Sequence, residues 1–123
     1  MICLDTNDLI LGLVAGSRES QELTAWIKAG EVLVALMPSW YEFLCGPVTA
    51  LQISTMRAFL HHLVPFDEPQ ATAAATLSNA AGRKRLSRAD AMIAATALVA
   101  DATLATNNRR DFSTFTASGL RLT

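Results

Sequence analysis

Short apolar runs alternate along the chain with longer stretches of helical periodicity. Ile2-Cys3-Leu4, Val32-Leu33-Val34-Ala35-Leu36, Leu63-Val64-Pro65-Phe66 and Thr103-Leu104-Ala105 read as buried strands, and Leu120-Arg121-Leu122 as a last one. Between them the pattern predicts helices over Asp8–Val14, Glu19–Ala29, Ser39–Leu44, Ala50–His62, Asp67–Ala81 and Ser87–Ala100. The clearest signals are local. Leu23, Trp26 and Ile27 share one helix face and Gly30 stops that helix, while Gly46 and Pro47 break the one opened by Ser39. Gly82 to Leu86 reads as a basic loop.

Strands separated by helices predict an α/β protein: a three-layer α/β/α sandwich on a mainly parallel central sheet of four to five strands. In such sheets the functional crevice lies beyond the carboxyl ends of the strands, so the residues just past each strand are the ones to inspect.

Composition narrows the picture without changing it. The chain of 123 residues is 51% hydrophobic and 17% charged, which fits one folded domain spanning residues 1–123 and excludes an intrinsically disordered protein. A formal net charge of −1 excludes a general nucleic-acid coat, so any such contact must come from local patches. Two cysteines in apolar surroundings, Cys3 and Cys45, read as buried free thiols rather than a disulfide framework or a zinc site. Asp5 interrupts the apolar start too early for a secretory leader. The longest apolar stretch near a helix, Ala91 to Ala100, falls far short of the roughly 20 residues that span a bilayer. The expected location is the cytoplasm.

Four acids draw attention. Asp5 directly follows the first strand, and Glu42 lies at the start of the helix after the second. Asp90 sits in the first turn of the helix that leads into the Thr103 strand, and Asp111 follows that strand. Each has an ordinary alternative. Ser39-x-x-Glu42 has the spacing of a capping box, as has Ser87-x-x-Asp90, and Asp5 could cap the first helix. Together they suggest more, because several carboxylates at one end of a small sheet repel one another. A hard divalent cation such as Mg²⁺ or Mn²⁺ offsets that repulsion and prefers oxygen ligands. Helix N-termini are expected to keep such acids ionised. His61 and His62, adjacent on a predicted helix, read as structural, and Asp8, Asp67 and Asp101 as helix-start or turn residues.

Four segments carry a family resemblance: Leu4-Asp5-Thr6-Asn7, Pro38-Ser39-Trp40-Tyr41-Glu42-Phe43-Leu44-Cys45-Gly46, Asp90-Ala91-Met92-Ile93-Ala94-Ala95-Thr96-Ala97 and Thr106-Asn107-Asn108-Arg109-Arg110-Asp111-Phe112. In that order, over essentially the whole chain, they resemble PIN-domain ribonucleases, in particular VapC-like toxins of type II toxin–antitoxin systems. The resemblance implies a metal site of Asp5, Glu42 and Asp90, with Asp111 at a more variable fourth position that Asn107 or Asn108 could share. It also implies that Thr6 and Thr106 are supporting hydroxyls beside the metal, although both equally read as turn residues. It implies an endoribonuclease that uses Mg²⁺ or Mn²⁺, a cognate antitoxin and a homodimer. The metal would activate a water and stabilise the departing oxygen.

Arg83, Lys84, Arg85 and Arg88 precede Asp90, and Arg109 and Arg110 precede Asp111. They read either as solvated loop charges or as a basic rim that holds an RNA backbone beside an acidic centre. No aromatic ladder for base stacking is visible. Leu9, Ile10, Leu13 and Val14 read as core, or as a surface for the antitoxin. Two other readings stand beside the ribonuclease: a catalytically silent RNA- or protein-binding module, which would need none of the acids, and a metal-dependent nuclease acting on DNA.

Overall fold

The computed structural model describes residues 1–83 and 88–123. Its sheet has five strands in the order β3-β2-β1-β4-β5, all parallel: β1 (Ile2–Leu4), β2 (Leu33–Leu36), β3 (His62–Val64), β4 (Thr103–Ala105) and β5 (Arg121–Leu122). The helices are α1 (Thr6–Leu11), α2 (Arg18–Lys28), α3 (Met37–Cys45), α4 (Ala50–Phe59), α5 (Glu68–Ala80), α6 (Arg88–Val99) and α7 (Arg109–Phe112), the last running into a 3₁₀ turn over Ser113–Ser118. The expected three-layer architecture is present.

The two-residue period of the strands builds both cores. Cys3, Val34, Leu36 and Leu104 point to one face, where they meet Ala74 and Leu77 of α5, the alanines of α6 and Phe112 of α7. Ile2, Leu4, Leu33, Ala35 and Ala105 point to the other, against Leu9, Leu23, Trp40, Phe43 and Met56 of α1 to α4. This division follows from topology. The chain steps from β1 outward to β2 and β3, then crosses back to β4 and outward to β5. Right-handed crossovers that reverse direction place their helices on opposite faces. The reversal lies between β1 and β4, so their carboxyl ends flank the natural crevice.

Several boundaries differ from the sequence pattern, each for a local reason. α1 starts at Thr6, because the Asp5 carboxylate caps it by accepting from the Thr6 amide at 2.8 Å. α3 starts at Met37, so Pro38 lies inside its first turn, where the missing N–H costs nothing. Leu36 is its N-cap and contributes no side-chain bond. The Ser39–Glu42 capping box is therefore absent: Ser39 is fully buried inside the helix and Glu42 lies in the second turn. α4 ends at Phe59, so His61 and His62 are not helical. His61 sits in the turn before β3, where its Nδ1 accepts the Leu33 amide at 3.1 Å, and His62 begins β3. Cys3 is buried, and burial pushes its thiol up to about 12, whereas Cys45 is exposed at the end of α3 rather than buried. Leu9 belongs to the core, while Ile10 and Val14 are exposed. The Ser87–Asp90 spacing and most of the basic loop fall outside the described residues.

One close approach matters for the site. A Cβ at Gly12, which ends α1, would stand 2.5 Å from the Asp8 carbonyl oxygen and 3.3 Å from the Leu23 side chain. Only glycine lets α1 end there with α2 packed against it.

Candidate functional site

Asp5 is the anchor. It leaves the central strand β1 and is 7% exposed. One oxygen accepts the Thr6 amide at 2.8 Å, and the other accepts the Thr106 hydroxyl at 2.9 Å from just beyond β4. That Thr106 hydroxyl oxygen in turn accepts the Asn108 amide at 3.0 Å, which fixes the loop after β4. The Thr6 hydroxyl donates to Glu42 Oε2 at 2.8 Å, linking α1 to α3. The two threonines are thus clamps on two different carboxylates.

Asp90 is half-buried in the first turn of α6. Burial raises its pKa, and the charges of Asp111, Asp5 and Glu42 raise it further, which brings the four acids into one electrostatic neighbourhood. Burial also raises Asp5; the Thr6 and Thr106 bonds pull against that rise, and the Glu42 charge adds to it. Desolvation is the largest cause at both acids, and repulsion from neighbouring carboxylates adds to it. Asp111 is exposed on α7, with one oxygen accepting the Asn108 side-chain amide at 2.7 Å.

The structure gathers some of the remaining candidates and separates others. Asn107 donates to Glu19 at 2.7 Å, on α2, rather than to Asp5 or Asp90. Arg83 and Arg88 line a cavity between α5 and α6. Arg109 donates to the carbonyl of Thr123, and Arg110 is exposed. Lys84 and Arg85 lie outside the described residues.

Two features escaped the sequence. Asp8, expected as an ordinary helix-start acid, is 4% exposed, and its Oδ2 has no hydrogen-bond partner among the described residues. Burial, with the charges of Asp5, Glu22 and Glu19, pushes it up to about 7. An acid one turn from Asp5 was visible in the sequence; its burial was not. The second is Tyr41, an exposed aromatic immediately before Glu42.

The donor set is all oxygen: three or four carboxylates with two hydroxyls. That set suits a hard cation. Among the described residues no three His, Cys, Asp or Glu side chains stand close enough to enclose an ion by themselves. Mg²⁺ asks for less than a full cage, since it keeps several waters and takes one or two carboxylates.

The PIN domain family model matches residues 2–116. The chain belongs to the PIN domain family. No curated protein matches it in sequence. Solved structures share its fold. A toxin–antitoxin complex from Klebsiella pneumoniae has 28% identity and a TM-score of 0.70, over 92% of this chain and 91% of that one. VapBC-1 from nontypeable Haemophilus influenzae has 20% identity and a TM-score of 0.75, over 100% and 97%. FitAcB from Neisseria gonorrhoeae has 23% identity and a TM-score of 0.71, over 100% and 97%. This PIN domain is therefore VapC-like in fold. No helix among its described residues is long and apolar enough to cross a membrane.

Proposed function

We propose that this PIN domain is a Mg²⁺- or Mn²⁺-dependent endoribonuclease, acting in the cytoplasm as the toxin of a toxin–antitoxin pair that inhibits translation. The observation that carries the reading is the clamped Asp5: a buried carboxylate on the central strand, held by Thr106 and by the amide of Thr6, within the field of Glu42 and Asp90.

Asp5, Glu42 and Asp90 would hold the ion, with Asp111 as a fourth, less committed member because Asn108 already occupies one of its oxygens. When bound, the ion supplies a water of lowered pKa and positive charge for the phosphate. Thr106 and Thr6 keep the oxygens of Asp5 and Glu42 turned to fixed directions. The burial of Asp5 keeps bulk water from competing for it. Exposed cations near the site, Arg83, Arg88 and Arg110, would hold the flanking phosphates, which an acidic centre would otherwise repel. Arg109, whose guanidinium also meets the carbonyl of Thr123, would join them.

A cognate antitoxin and a homodimer belong to the same reading. Relatives of this fold are described as a toxin–antitoxin complex and as VapBC-1. The exposed Ile10 and Val14 offer apolar surface near α1 for such a partner.

The test uses the protein free of any partner, a structured RNA pool, a DNA control and Mg²⁺ or Mn²⁺. RNA cleavage that stops with EDTA, Asp5→Asn or Asp90→Asn is expected. Cleavage that ignores EDTA or survives both substitutions would remove the metal–carboxylate mechanism. Cleavage of the DNA alone would change the substrate.

A further inference from the structure

A cavity of about 370 Å³ opens beside Glu42. Met37 and Tyr41 of α3 form one wall, Ala89 and Met92 of α6 the other, and Phe66 lies between them. Glu42 is the one candidate acid that lines the cavity, and Ala89, the residue before Asp90 on α6, stands on its far wall. The size falls in the lower range of small-molecule sites. Glu42 apart, its lining is apolar or aromatic. Tyr41 is 68% exposed on its rim, and Met37 is exposed too.

A second cavity of about 390 Å³ shares Phe66 and Met92 with the first, and it adds Arg83 and Arg88. An apolar slot with an aromatic wall therefore lies between a carboxylate centre on one side and two guanidinium groups on the other. Single-stranded nucleic acids are held in this way: bases against aromatic and apolar side chains, backbone against cations. A buried apolar peptide side chain would use the slot but would leave the two arginines without a purpose.

Resting on the ribonuclease reading, we propose that this slot receives one unpaired nucleobase of the RNA, next to the phosphate being cut, with Tyr41 as its stacking surface. An apolar lining reads ring area rather than base edges. The slot therefore favours a purine over a pyrimidine at that one position, and it sets the enzyme's cutting preference without a hydrogen-bond code.

Two measurements test this. The first maps cleavage of a randomised single-stranded RNA by wild type, Tyr41→Ala, Tyr41→Phe and Met37→Ala. The expected result for Tyr41→Ala is a KM raised about tenfold, kcat within about threefold of wild type, and loss of the purine preference at one position beside the cut. Tyr41→Phe should keep both, and Met37→Ala, on the same wall but not adjacent to Glu42, should weaken the preference. The second measures anisotropy of a labelled single-stranded RNA with Asp90→Asn protein, where no cutting is needed. Adding Tyr41→Ala should weaken binding about tenfold. An unchanged KM, preference and affinity in Tyr41→Ala would overturn the proposal. So would a Tyr41→Ala protein whose only change is its oligomeric state by light scattering, which would assign the slot to a subunit or partner interface. Loss of all cutting in wild type, with RNA binding still dependent on Tyr41, would strike the ribonuclease reading and leave the base slot standing.

Discussion

The hydroxyl of Thr6 on α1 donates to the carboxylate of Glu42 on α3 at 2.8 Å, across 36 positions of sequence. Glu42 lies in the second turn of a helix that offers it no cap. Thr6 is thus the contact that aims it. Thr6→Val should leave the fold intact and lower kcat/KM about three- to tenfold, the scale of one solvent-facing hydrogen bond. Thr6→Ser should restore the rate. Steady-state cleavage beside a thermal melt checks both.

Thr106 works under different conditions, because its bond to Asp5 is buried. Thr106→Val removes a donor to Asp5 and an acceptor for the Asn108 amide together. The cost should be about 1–3 kcal/mol of stability, well above that of Thr6→Val. Urea unfolding of the two variants side by side gives the comparison.

Asp8 sets an unusual pH dependence. Its carboxyl titrates at about 7 in the folded chain against an ordinary 3.8. Between those values the folded state keeps a proton that the unfolded state has lost. Without metal, stability should therefore fall as pH rises from about 4 to about 7 and level off above, the reverse of a salt-bridged acid. Asp5 and Asp90 are shifted in the same direction. Asp8→Asn should raise stability at pH 8 by a few kcal/mol and leave a shallower slope. Denaturant midpoints at pH 5 and pH 8 in EDTA measure it.

Repulsion among the acids would make a bound ion a stabiliser as well as a reagent. At a Mn²⁺ concentration about a hundred times its Kd, the melting temperature should rise by roughly 10 °C. Asp90→Asn should abolish most of that rise while itself melting higher than wild type in EDTA. A wild-type melt indifferent to Mn²⁺ and Mg²⁺ would contradict this.

Gly12 tests the support under Asp5 and Thr6. Gly12→Ala places a methyl group against the Asp8 carbonyl and Leu23, so α1 or α2 must move. A loss of about 1–3 kcal/mol is expected, with a drop in activity larger than that of Thr6→Val.

Much of this was legible in the sequence for a physical reason. Strands buried on both faces must be short apolar runs, and Ile2–Leu4, Leu33–Leu36 and Thr103–Ala105 could be little else. Asp5 and Asp90 were legible because topology puts residues after β1 and at the start of α6 at one edge. The start of α3 was not. Pro38 reads equally as the end of a strand or as the first turn of a helix, and only packing of Trp40 and Phe43 decides. The end of α4 carries no glycine or proline to mark it. The burial of Asp8 and the exposure of Tyr41 depend on which neighbours cover each helix face, and no single segment encodes that.

The Asp5–Thr106 bond joins residues 101 positions apart. A contact of that span closes only after the intervening strands and helices are made. A chain still being made has the acid without its clamp and without the strand that carries Thr106. The buried carboxylate therefore gains its fixed direction only when β4 docks beside β1, and the proposed site is completed late in folding.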